Sequence, residues 1–147
     1  MKLFTDGAYR PAVNENVFGW GFALYDDAGD VVASDAGISN EHIESRQIGG
    51  ECMAAIKGLR YCLAHEILDV EIVYDYIGVE SWATFKFKAN KPVSQAYVND
   101  YLALLRDFNT LGDKLGKKVN VRFKKVKGHS GVAGNELADK LASGVIR

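Results

Sequence analysis

Three strand-like segments come in a row, the second alternating with a period of two, and after residue 39 the pattern changes to strand and helix in turn. Residues 2–5 form a short apolar run ending at Asp6-Gly7. Trp20, Phe22 and Leu24 alternate with small residues, and beyond the turn Asp26-Asp27-Ala28-Gly29-Asp30 residues 31–38 read as a third strand. Residues 10–17, with Pro11, Asn14 and Asn16, read as a turn or loop. Apolar side chains then recur at Cys52, Ala55, Ile56, Leu59, Cys62 and Leu63, a helix of about four turns that Gly49-Gly50 precede as a tight turn. Residues 70–74 are an apolar strand running into Asp75, and residues 78–87 read as a helix bearing Trp82 and Phe85. Tyr97, Tyr101, Leu104, Leu105, Phe108 and Leu111 have helical spacing. Val119, Val121 and Phe123 alternate with polar residues as a last strand, and residues 134–142 begin a final helix with Asn135 as its N-cap. Three successive strands followed by strand–helix alternation predict an α/β fold: a mixed sheet with helices packed on its faces.

The chain has 147 residues, enough to bury a core without a disulfide or zinc staple, and nothing in it resembles a linker or repeat. One domain, residues 1–147, is expected. No apolar run approaches the ~18 residues of a membrane span, and the opening Met1-Lys2-Leu3-Phe4-Thr5-Asp6 meets a carboxylate before a signal-peptide core could form. Cys52 and Cys62 on one helix lie ~15 Å apart, too far to bridge, and free thiols fit a reducing cytoplasm. His42, His65 and His129 make no zinc spacing with them. The expectation is a soluble, cytoplasmic domain.

Net charge is −1, but residues 1–75 hold 5 Lys and Arg against 13 Asp and Glu, whereas residues 76–147 hold 13 against 6. Such a split arises by chance in an interleaved fold, or it marks a carboxylate-rich centre beside a phosphate-binding surface. Four acids sit where a sheet protein would present them together. Asp6 and Asp75 end strands, Glu51 follows two glycines at a helix start, and Asp139 lies one turn into the last helix. Singly, each reads as well as a turn, helix-end or solvated acid. Gathered, they would repel unless cations neutralised them, and an oxygen-only ligand set suits Mg²⁺ or Mn²⁺.

Thr5-Asp6-Gly7-Ala8, Gly50-Glu51-Cys52-Met53-Ala54-Ala55, Tyr74-Asp75-Tyr76, Val126-Lys127-Gly128-His129-Ser130-Gly131 and Asn135-Glu136-Leu137-Ala138-Asp139 occur in the order and spacing of type 1 ribonuclease H, which the whole chain resembles. The resemblance implies a five-stranded mixed sheet, three strands antiparallel and two parallel, flanked by helices. It implies a Mg²⁺-dependent endoribonuclease that cuts the RNA strand of RNA–DNA hybrids by a two-metal mechanism, leaving 5′-phosphate and 3′-hydroxyl ends, with Mn²⁺ able to substitute. By the same resemblance Asp6 bridges both ions, Glu51 and Asp75 complete one ion's site and Asp139 the other's. His129 becomes an accessory group that moves a proton or helps release product.

The resemblance also places Gly7, Gln47, Asn135 and Glu136 near the minor groove of the hybrid, Gln47 standing where many relatives have Asn. For Gln47 and Asn135, local capping is the alternative reading. Trp82, Lys86 and Lys88 stand in a stretch that interleaves aromatics with basic residues, suited to stacking on sugars and holding phosphates, while Phe85 and Phe87 are expected to pack inward. The basic connection before Pro92 is several residues shorter than in well-known bacterial relatives. Lys124, Lys125 and Lys127 either add to the grip or face water. Tyr76 and Ile77 stand where relatives often have Ser and Gln. The chain begins almost on the Thr-Asp-Gly motif, so no separate hybrid-binding domain is expected before it, and no obligate protein partner is evident. Competing readings are a DNA-cutting nuclease of the same fold, a non-catalytic binding domain, and a metabolic α/β enzyme. The last lacks a phosphate-binding glycine loop or nucleophile motif.

Overall fold

The computed structural model describes residues 1–128 and 131–147. The elements run β1 (Lys2–Ala8), α1 (Pro11–Asn14), β2 (Phe18–Tyr25), β3 (Val31–Ser39), α2 (Gln47–Ala64), β4 (Asp69–Tyr74), α3 (Gly78–Ala83), α4 (Pro92–Leu115), β5 (Asn120–Lys125) and α5 (Ala133–Gly144), with a short 3₁₀ turn at Ile43–Ser45 before α2. The strands form a five-stranded sheet in the order β3-β2-β1-β4-β5. β1 pairs antiparallel with β2 and β2 with β3, whereas β1–β4 and β4–β5 are parallel. This is the mixed α/β sheet expected from the sequence.

Alternation along each strand sorts the two faces. Leu3, Trp20, Phe22, Leu24, Val70, Ile72 and Tyr74 point into the main core, where α2, α3 and α4 pack. The other parity, Phe4, Val73 and Ala8, meets α5. Small residues set how close α5 comes. A Cβ on Gly19 would lie 1.9 Å from the Ala142 carbonyl oxygen, and one on Gly21 would lie 2.9 Å from the Ala138 oxygen. The helix therefore rests on the backbone of β2, and Asp139, next to Ala138, is carried toward the sheet.

Several local expectations are corrected. The turn within residues 10–17 is a single helical one that Pro11 starts, its fixed φ and missing N–H suiting a first helical position. α2 begins at Gln47 and runs 18 residues, so Gly49 and Gly50 lie inside its first turn rather than in a bend before it. The helix of residues 78–87 stops at Ala83, and Phe85 follows with φ +62°, a left-handed conformation that ends it. α5 is capped at Val132, so Asn135 is its third residue and not its N-cap, and Asp139 lies almost two turns in.

Candidate metal and active site

Asp6 and Asp75 arrive from neighbouring parallel strands. Phe4 pairs with Val73, so two residues further on Asp6 and Asp75 stand level, on the same face of the sheet. Glu51 comes from α2, on the opposite face, and needs a passage. Gly7 provides it. A Cβ there would lie 2.2 Å from the Glu51 backbone nitrogen and 2.5 Å from the Gly50 carbonyl carbon. A Cβ on Gly50 would lie 2.2 Å from the Gly19 oxygen and 2.9 Å from the Gly7 Cα. The first turn of α2 thus crosses β1 and β2 backbone on backbone, which no pair of side chains would allow.

One carboxylate oxygen from each of Asp6, Glu51 and Asp75 can be chosen so that all three lie within 4.8 Å of one another. Asp6 and Glu51 are each only 5% exposed, and Asp75 is half-buried. The Gly7 amide donates to Asp6 Oδ1 at 2.9 Å and fixes that carboxylate. Glu51 Oε2 is buried and has no hydrogen-bond partner among the described residues. Burial pushes the Asp6 carboxyl up to about 6, the charges of Asp75 and Asp139 adding to the rise, while the proton shared with Glu51 opposes it. Glu51 is held well above the usual carboxylate range, first by burial and then by the neighbouring Asp6. Glu51 therefore keeps the shared proton when no cation is present.

The fourth predicted acid stands apart. Asp139 is half-buried on α5 and outside the close trio, though its charge reaches Asp6. Gly128, after β5, lies against Asp75: a Cβ there would be 3.1 Å from Oδ2. His129 lies outside the described residues.

The predicted substrate residues divide. Gln47 is exposed at the first position of α2, and Glu136 is exposed in the first turn of α5. Lys86 and Lys88 are exposed, and Trp82 is half-buried, its ring 5.8 Å from Tyr76 and 6.5 Å from Phe87. Phe85 and Phe87 do not pack inward: they are 68% and 43% exposed. Asn135 is 2% exposed with Oδ1 unpartnered among the described residues, so it offers no open face to a groove. Spacing does not reveal the link between Tyr74 and Glu80. Buried Tyr74, just before Asp75, donates its hydroxyl to Glu80 at 2.7 Å, and the other Glu80 oxygen lies 3.8 Å from the Lys86 ammonium. The i, i+6 spacing across a strand–helix junction carries no periodic signal.

A family model described as RNase H matches residues 1–147. The chain is 33% identical over 150 residues to a ribonuclease H of Francisella tularensis subsp. novicida, covering 97% of this chain and 88% of that one. Its fold matches the crystal structure of RNase H1 from the halophilic archaeon Halobacterium salinarum NRC-1 with a TM-score of 0.73 and 23% identity, over 98% and 95% of the two chains. It also matches LC11-RNase H1 in complex with an RNA/DNA hybrid, with a TM-score of 0.65 and 18% identity over 99% and 95%.

Proposed function

The chain belongs to the RNase H family, and from that premise we propose that it hydrolyses the RNA strand of RNA–DNA hybrids with Mg²⁺, leaving 5′-phosphate and 3′-hydroxyl ends. Residues 1–147 act as one catalytic domain, and the two buried free thiols, Cys52 and Cys62, suit a reducing cytoplasm. The observation that carries the reading is the trio of Asp6, Glu51 and Asp75, with ligand oxygens within 4.8 Å and two of the three carboxyls nearly solvent-free.

That trio fits a hard divalent cation. The donors are all oxygen, Glu51 Oε2 is a buried acceptor without a partner among the described residues, and burial alone makes the ionised state of the pair costly. Asp6, Glu51 and Asp75, with Asp139 nearby, would hold two Mg²⁺ ions, with Mn²⁺ able to substitute. When bound, the ions lower the pKa of the attacking water and offset charge on the departing 3′-oxygen.

The remaining work falls to the chain. The Gly7 amide keeps Asp6 in one orientation. Glu51 gives up its proton as positive charge arrives, which makes ion binding easier as pH rises. Exposed Gln47 and Glu136, together with Gly7, face the groove carrying the 2′-hydroxyls, the feature that tells RNA from DNA. Trp82, Lys86 and Lys88 meet sugars and phosphates of the other strand. Asn135 acts from inside the first turn of α5 rather than by touching substrate, and His129 assists proton transfer or product release.

A hybrid labelled on either strand, incubated with Mg²⁺, Mn²⁺ or chelator beside duplex DNA and duplex RNA, tests the reading. RNA-strand cleavage in the hybrid alone, abolished by chelator, is expected. Cleavage of duplex DNA in preference would overturn it.

A further inference from the structure

Residues 114–127 carry seven Lys or Arg and no Asp or Glu, in a chain whose net charge is −1. Their placement singles out two. β5 is an edge strand, paired only with β4. Val121 and Phe123 turn into the core, so Arg122 and Lys124 lie on the opposite face, away from α2 and α4. α5 packs on β1, β2 and β3 of that face and reaches Val73 of β4, which leaves β5 outside its main contacts. Arg122 is already engaged by Asp69 and by Glu71, the latter at 3.6 Å. Lys124, on that face, and Lys125, which the alternation turns to the other face at the very end of β5, are both exposed and form no ion pair among the described residues.

The register then fixes where these two charges stand. Lys124 pairs with Val73 and Lys125 with Tyr74. Asp75 follows directly, so the Lys124 Cα is about 8 Å from that of Asp75, within reach of a lysine side chain for the phosphates next along a strand. Lys86 is partly occupied by Glu80 at 3.8 Å, and Glu80 accepts from Tyr74, which points to the α2–α4 side of the sheet. An acid pocket repels a polyanion, and the nearest unneutralised cations decide which way the duplex lies across it.

We propose that Lys124 and Lys125 hold backbone phosphates of the duplex beyond the scissile position, making the active end of β5 a principal basic grip on substrate. The inference rests on the hybrid-cleaving reading. Each contact formed releases condensed counterions, so it is read in the salt dependence of binding.

The test is fluorescence anisotropy of the intact chain in chelator, with a hybrid of about eighteen base pairs over roughly 50–200 mM salt. Lys124→Gln/Lys125→Gln should lower the slope of log K against log salt by about 1 to 2, and Lys124→Arg/Lys125→Arg should retain it. Both positions are exposed and unpaired, so matching melting curves are expected for all three proteins. A slope unchanged by the Gln pair, in a chain that does cleave hybrid, overturns the grip alone. A chain that neither binds nor cleaves hybrid overturns the functional reading and the grip with it.

Discussion

The crossing of α2 over β1 and the connection between α3 and α4 are built by opposite means. At the crossing, Gly7 and Gly50 let two backbones meet with no room for a single added carbon, and Asp6 and Glu51 sit there almost without solvent. In the connection, Phe85 and Phe87 are exposed, Trp82 leans on Tyr76 and Phe87, and Lys86 is steadied by one ion pair to Glu80. Oxygens that must share an ion need positions set by backbone. Side chains that meet a long, repetitive polymer tolerate slack. Small changes should therefore break the crossing and only weaken the connection.

The largest effect belongs to the centre. Asp6→Asn should cut hybrid turnover by about a thousandfold or more, since losing an ion's ligand removes several kcal/mol of transition-state stabilisation. Its amide oxygen can still accept from the Gly7 N–H, and a like charge is gone, so the melting temperature should hold or rise. A variant that melts far lower yet still cleaves would contradict the assignment. Gly50→Ala comes next. Its methyl would be forced to within 2.2 Å of the Gly19 oxygen, and the cost should exceed about 3 kcal/mol in denaturant melts. A loss below about 1 kcal/mol would mean that the crossing yields like the connection does.

A pH series sharpens the contrast. The Asp6 and Glu51 carboxyls lie above their ordinary values, so the folded chain binds more protons than the unfolded one over that range. Their contribution to stability is full below about pH 4 and is lost as pH rises through about 6 for Asp6, and higher for Glu51. In chelator, the melting temperature of wild type relative to Asp6→Asn should fall between pH 5 and 7.5, and Mg²⁺ should restore more of it at the higher pH. A relative rise over that interval would reverse the sign of the argument. The connection should show the mildest response. Trp82→Ala should raise KM roughly fivefold with little change in kcat, about 1 kcal/mol of lost stacking. Phe85→Gly should leave stability within about 0.5 kcal/mol, relief of its positive φ offsetting the added freedom of the unfolded chain.

The sheet was legible because residue types alternate along β2 and β5 and because strand–helix alternation forces parallel returns. The four acids were legible only as a set, through motif order. Local signals misled where packing overrode propensity. Glycines are poor helix residues, so Gly49-Gly50 reads as a turn, yet contact with β1 and β2 selects them inside α2. Asn favours helix caps, so Asn135 reads as one, yet Val132 holds that place and Asn135 is buried. Phe85 and Phe87 read as core by residue type, but a left-handed backbone at Phe85 ends α3 and both rings remain exposed. The separation of Asp139 from the other three depends on how α5 is seated on Gly19 and Gly21, which no spacing within α5 encodes.

Electron paramagnetic resonance of Mn²⁺ titrated into the intact chain reads whether folding gathers these carboxylates to hold divalent ions. Wild type should remove Mn²⁺ from the free-ion signal with an affinity that rises as pH passes 6, and Asp6→Asn should leave most of it free. Equal binding by the two proteins would contradict the account.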